Sequence, residues 1–106
     1  RVLLLIQNFS SQAAHDVHIR FSRDFTILGE KKLSELSVFS KLRYLAPGKE
    51  IEIYLDPVGR FFAQLEEKDT LVEVSIHYQD DRQKKYQQRL THDLAIYQDL
   101  PTLINT

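Results

Sequence analysis

Val72-Glu73-Val74-Ser75-Ile76-His77-Tyr78 is the stretch that decides the fold. Val72, Val74, Ile76 and Tyr78 fall on one side of an extended chain, and Glu73, Ser75 and His77 on the other. A period of two, carried by β-branched and aromatic residues, marks a β-strand with one wet face. The polar run Gln79-Asp80-Asp81-Arg82-Gln83 reads as a turn. Residues 85–90 return as a weaker strand with Tyr86, Gln88 and Leu90 on its inner side, which makes the pair a hairpin.

The same period recurs upstream. In residues 16–22, Val17, Ile19 and Phe21 alternate with Asp16, His18, Arg20 and Ser22. Ile51, Ile53 and Leu55 alternate with Glu52, Tyr54 and Asp56, directly after Ala46-Pro47-Gly48-Lys49. That tetrapeptide predicts a type II turn, because Pro presets φ at the second position and Gly accepts a positive φ at the third. Residues 2–8 form a strand apolar on both faces up to Gln7, as a central or doubly covered strand would be. Asn8-Phe9-Ser10-Ser11-Gln12 reads as a turn. Residues 25–28 resume an extended run that stops at Gly29.

Residues 30–45 are ambiguous. Leu33, Leu36, Phe39, Leu42 and Leu45 recur every third residue, as in a helix stripe. The strand formers Val38-Phe39 and Arg43-Tyr44-Leu45, with Ser34, Ser37 and Ser40 between, favour a loop with two short strands. One or two helical turns are expected in residues 60–68, an extended stretch in 92–97, and a tail in 98–106 behind a single domain of residues 1–97. About seven short strands in about 100 residues predict an all-β antiparallel β-sandwich. The expected core is Val17, Ile19, Phe21, Ile51, Ile53, Val72, Val74, Ile76 and Tyr78.

Composition bounds the function. A chain of 106 residues holds one core, and 42% apolar with 27% charged residues is the globular balance. Fourteen Lys and Arg against fifteen Asp and Glu leave a net charge of −1, which excludes a strongly basic nucleic-acid module. With no cysteine there are no disulfides and no thiolate zinc site. The apolar run Leu3-Leu4-Leu5-Ile6 is far shorter than the about 20 residues of a membrane span. The chain opens at Arg1 without Met, so it reads as a piece of a longer protein, with an upstream membrane anchor as one reading.

Three segments carry a resemblance. They are the apolar strand ending at Asn8, the corner Leu45-Ala46-Pro47-Gly48-Lys49, and Val74-Ser75-Ile76-His77-Tyr78-Gln79-Asp80 with Tyr86 on the return strand. Their order, over residues 2–90, resembles bacterial immunoglobulin-like or fibronectin-like sandwich domains. True antibody domains are set aside, because the chain has neither Cys nor Trp. The resemblance implies an immunoglobulin-like β-sandwich acting as an interaction or spacer module, and transfers no catalytic residue.

Chemistry-bearing residues are sparse. His15 and His18 lie three apart, and on a regular strand they diverge to opposite faces; His77 is expected to point outward. No serine sits in a G-x-S-x-G elbow. Glu66-Glu67 and Asp80-Asp81 read as solvated turn acids. Arg82, Lys84, Lys85 and Arg89 form a basic cluster, flanked by Asp80, Asp81 and Asp93 that cancel much of its field. Lys85 and Arg89 also suit an edge strand, where charge discourages pairing with a second chain. Tyr44 and Tyr54 are the candidate ligand contacts, as platforms for a sugar. Phe61 and Phe62 read as a cap on the end of the sandwich, and Asn8-Phe9-Ser10 matches a glycosylation sequon.

The expectation is therefore a non-catalytic module of a larger, membrane-tethered bacterial protein, with a protein partner, no nucleic acid, no cofactor and no metal. Membrane contact would come only through an anchor outside this chain. A carbohydrate-binding module is the alternative.

Overall fold

The computed structural model describes residues 2–27, 31–56 and 70–94. Among these, six strands follow one another: β1 Val2–Gln7, β2 Ala14–Phe21, β3 Leu42–Leu45, β4 Glu50–Asp56, β5 Leu71–Gln79 and β6 Lys85–Asp93. All pairings are antiparallel. They make two sheets, β1-β4 and β3-β2-β5-β6. The expected turns near 60–68, Phe61, Phe62, the Glu66-Glu67 pair and the tail lie outside the described residues.

The two sheets share one core, so the molecule is an all-β sandwich. Val17 and Ile19 of β2, Val72 of β5 and Leu55 of β4 are buried in a single cluster. Leu4 and Ile6 of β1, Ile53 of β4, and Phe21, Val74, Ile76 and Tyr78 pack against it. Each fully buried Val, Leu, Ile or Phe stabilises by about 1.5–3 kcal/mol relative to exposure. Ile51 is half-buried and outside that cluster. Phe25, Ile27, Leu33 and Phe39, none of them in an alternating strand, complete it.

The expected two short strands of 30–45 are corrected to one, because Val38-Phe39 lies in a helical turn, and the three-residue spacing has a mixed origin. Leu33–Glu35 is a 3-10 turn, Val38–Lys41 is one turn of α-helix (α1), and β3 follows at once. Leu33, Leu36, Phe39 and Leu42 all reach the core, although 3-10, extended and α-helical backbone in turn deliver them. Phe39 meets Phe21 edge-on, with ring centroids 5.1 Å apart. Asp24 anchors the start of this segment. Its Oδ1 accepts from the Phe25 and Ser34 amides at 2.9 and 3.0 Å, and its Oδ2 accepts from the Ser34 hydroxyl at 2.6 Å. Desolvation pushes this carboxyl up, but the bonds from Ser34 and Phe25 and the charge of Lys32 together hold it below the ordinary 3.8.

Two readings of single strands are corrected. β1 is not doubly covered: among the described residues it pairs only with β4, and Leu3 and Leu5 face water at 38% and 52% exposure. Its apolar sequence on both faces therefore reflects a core face and an uncovered one. The second correction concerns β2. Between His15↔Gln79 and His18↔His77 the register shifts, so Asp16 and Val17 together oppose Tyr78. This is a β-bulge, and Asp16 takes the positive φ of 49° that Asp tolerates. The extra residue restores parity. Ala14 and Val17 both pack inward, so His15 and His18 lie on the same outer face rather than diverging.

Candidate functional site

Asn8 joins the two sheets. Gly48 takes φ +73° and the Lys49 amide bonds the Ala46 carbonyl at 3.1 Å, as the Pro-Gly turn demands. This turn is a corner rather than a hairpin, because β3 before it and β4 after it belong to different sheets. Asn8 bonds the corner from across: its amide donates to the Lys49 carbonyl and its carbonyl accepts from the Gly48 amide. Its Nδ2 donates to the carbonyls of Gln12 at 2.8 Å and Leu45 at 3.0 Å, while Oδ1 accepts from the amide and hydroxyl of Ser10. The sequon nitrogen is thus engaged in holding the fold.

The tight Asn8 turn presents Phe9 to water at 87% exposure. Tyr54, at 40% exposure, is the register partner of Leu3, and Glu52 is the partner of Leu5. The outer face of β1-β4 thus carries Leu3, Leu5 and Tyr54 side by side, edged by Glu50 and Glu52. Alternation in the sequence singles out Tyr54. It does not single out Leu3, Leu5 and Phe9, whose signal is a strand apolar on both faces beside a short polar turn.

Tyr44 lies on the other sheet, at 56% exposure, with its ring edge-on to His15 at 5.3 Å. The two candidate tyrosines therefore form no common platform. His15 Nε2 lies 2.6 Å from Asp81 Oδ1, tying β2 to the hairpin loop. Being exposed, that contact is worth at most about 1 kcal/mol. Across the outer face of this sheet run three rows: Arg20↔Ser75↔Arg89, His18↔His77↔Gln87, and Tyr44↔His15↔Gln79↔Lys85. His77 faces outward as expected, and His92 lies on β6. Among the described residues no three His, Cys, Asp or Glu side chains are grouped to hold a metal ion.

Asp80 organises the β5–β6 turn. Its Oδ1 accepts from the amides of Arg82 and Lys84, and its Oδ2 from the Tyr86 hydroxyl at 3.1 Å. Gln83 closes the loop with φ +66°. The Lys84 amide above all, with the Arg82 amide, the Tyr86 hydroxyl and the Lys84 charge, holds the Asp80 carboxyl below 3.8 despite some desolvation. The same bond to Asp80, chiefly, raises the Tyr86 phenol. Tyr86 stacks on Tyr78 with centroids 5.1 Å apart, and Lys84 lies over its ring.

Fold and surfaces together define a small two-sheet β-sandwich with chemically distinct outer faces. The chain belongs to the family described as Domain of unknown function (DUF8453), whose family model matches residues 1–98. No curated protein and no solved structure matches it.

Proposed function

We propose that this domain is a non-catalytic, immunoglobulin-like interaction module of a larger bacterial protein, and that it contacts a protein partner through the outer face of β1-β4. The observation that carries this reading is the row Leu3, Leu5 and Tyr54, exposed together on one sheet face, with Phe9 also exposed in the turn that follows β1. Contiguous exposed apolar surface rimmed by charge is the usual mark of a protein contact site. Aromatic anchors such as Phe9 and Tyr54 supply much of the energy at such sites. The acidic edge, Glu50 and Glu52, favours a partner segment that mixes apolar and basic side chains.

Site-specific photo-crosslinking tests it. A crosslinker at Leu5 in the parent protein, in its host cell, is expected to give one discrete adduct identifiable by mass spectrometry. The adduct should vanish with Phe9→Ser or Tyr54→Ser, and a crosslinker at Glu73 should give none. Free domain at every position, or equal adducts at Leu5 and Glu73, would overturn the reading. The sugar-binding alternative rests on Tyr44 beside His15 and Asp81, and calls for glycan-array binding lost with Tyr44→Ala.

A further inference from the structure

We infer that the outer face of the four-stranded sheet binds an anionic polysaccharide. Arg20 and Arg89 flank Ser75 in one row, so two guanidinium-bearing strands stand two strand spacings apart, about 10 Å at the backbone. Lys85 ends a second row, and His18 and His77 sit side by side between the two. The cationic positions Arg20, Lys85 and Arg89 are exposed and, among the described residues, are in no ion pair with a carboxylate.

The acids that flank this cluster in the linear sequence lie off the arginine row. Asp80, bonded to the amides of its own turn and Tyr86, and Asp81, bonded to His15, stand at the hairpin end of the sheet. Asp93 lies at the opposite end of β6, paired in register with Leu71. Glu73 is the remaining outward carboxylate of β5, one row beyond Arg20 and Arg89. Asp80 and Asp81 keep their charge but sit beyond the Gln79↔Lys85 pair, so the Arg20–Ser75–Arg89 row itself carries two cations with Glu73 one row away.

Between the cations stand Ser75, Gln79 and Gln87, which donate and accept hydrogen bonds. Hydroxyls and sulfate or carboxylate groups along a sugar chain match this mixture, with Arg clamping an oxyanion through two parallel N–H donors. A single-stranded nucleic acid needs stacking rings among its cations. The exposed aromatic here, Tyr44, stands at the corner, edge-on to His15 and away from the arginine row.

The whole chain is titrated with fluorescein-labelled heparin oligosaccharide, a neutral dextran of equal length and an oligothymidylate of equal charge. Heparin is expected to bind, with affinity falling steeply as salt rises, and dextran not to bind. Arg20→Gln with Arg89→Gln keeps part of each stem and is expected to weaken heparin binding at least about tenfold. Lys31→Gln with Lys49→Gln removes equal charge elsewhere and should change it less than about twofold. Backbone amide shifts on heparin addition should cluster at Arg20, Ser75 and Arg89. Absence of heparin binding at low salt, equal losses in the two double variants, tighter binding of the oligothymidylate, or shifts centred on β1-β4 would each overturn the inference. The crosslinking readout at Leu5 is independent of all of them.

Discussion

On β1-β4 the outward positions are Leu3 and Leu5 beside Tyr54 and Glu52, whereas on the larger sheet they are Arg20 and His18 beside Ser75 and His77, with Arg89 and Gln87 beyond. Inward, both sheets supply the same kind of side chain: Leu4, Ile6, Ile53 and Leu55 from one, Val17, Ile19, Val72 and Val74 from the other. The shared core constrains one face of each strand. The opposite face is free to differ, and here it differs between apolar with an acidic edge and polar with cations. The difference teaches that the outward residues of this sandwich carry information that its stability does not require.

That contrast can be broken at several depths. Val72→Asp places an unpaired charge in the shared core and is expected to cost on the order of 3–5 kcal/mol in chemical denaturation. A loss under about 1 kcal/mol would show that the two sheets do not meet there. Asn8→Ala removes the bonds to Leu45 and Gln12 that tie one sheet's end to the other's corner, and is expected to cost about 1–3 kcal/mol. Unchanged stability would mean that the sheets are coupled by the core alone.

The hairpin of the larger sheet has an acid dependence of its own. The folded-state pKa of Asp80 lies below its unfolded value, so its contribution is complete above 3.8 and is lost as pH falls through the lower, folded value. Asp80→Asn keeps an acceptor for the two amides and should flatten the fall in melting temperature between pH 5 and pH 2, roughly the carboxylate range. Asp24, also lowered, adds a contribution of the same sign that this substitution leaves in place. Parallel curves for the two proteins would contradict the assigned role of Asp80.

Smallest of all, Leu5→Gln on the outer face of β1 should leave stability within about 0.5 kcal/mol. A loss above about 2 kcal/mol would mean that the domain itself covers this face, and the contrast between the outer faces would fail.

Much of the architecture could be read before any coordinates. The strands around Val17, Ile53 and Val74, the turn at Gly48 and the β5–β6 hairpin are local events, set by a period of two and by the backbone freedom of single residues. The core was legible only where it alternated. Phe25 and Ile27 reach it from the short extended run about the Thr26↔Lys32 bridge, and Leu33 and Phe39 from single helical turns too short to show a period. Of the surfaces, alternation marks Tyr54 as outward and leaves the burial of Tyr44 open, and it does not tell that the two belong to different sheets.

Local pattern thus fixes which residues extend and which side of each strand avoids water, because pleat and turn geometry act over a few neighbours. Strand partnership acts over the whole chain. The sheet change at Pro47-Gly48, the bulge that turns His15 toward the face of His18, and the exposure of Leu3 and Leu5 all depend on which distant strand lies alongside. Hydrogen bonds and contacts between residues tens of positions apart settle those matters, and no short stretch of sequence contains both partners.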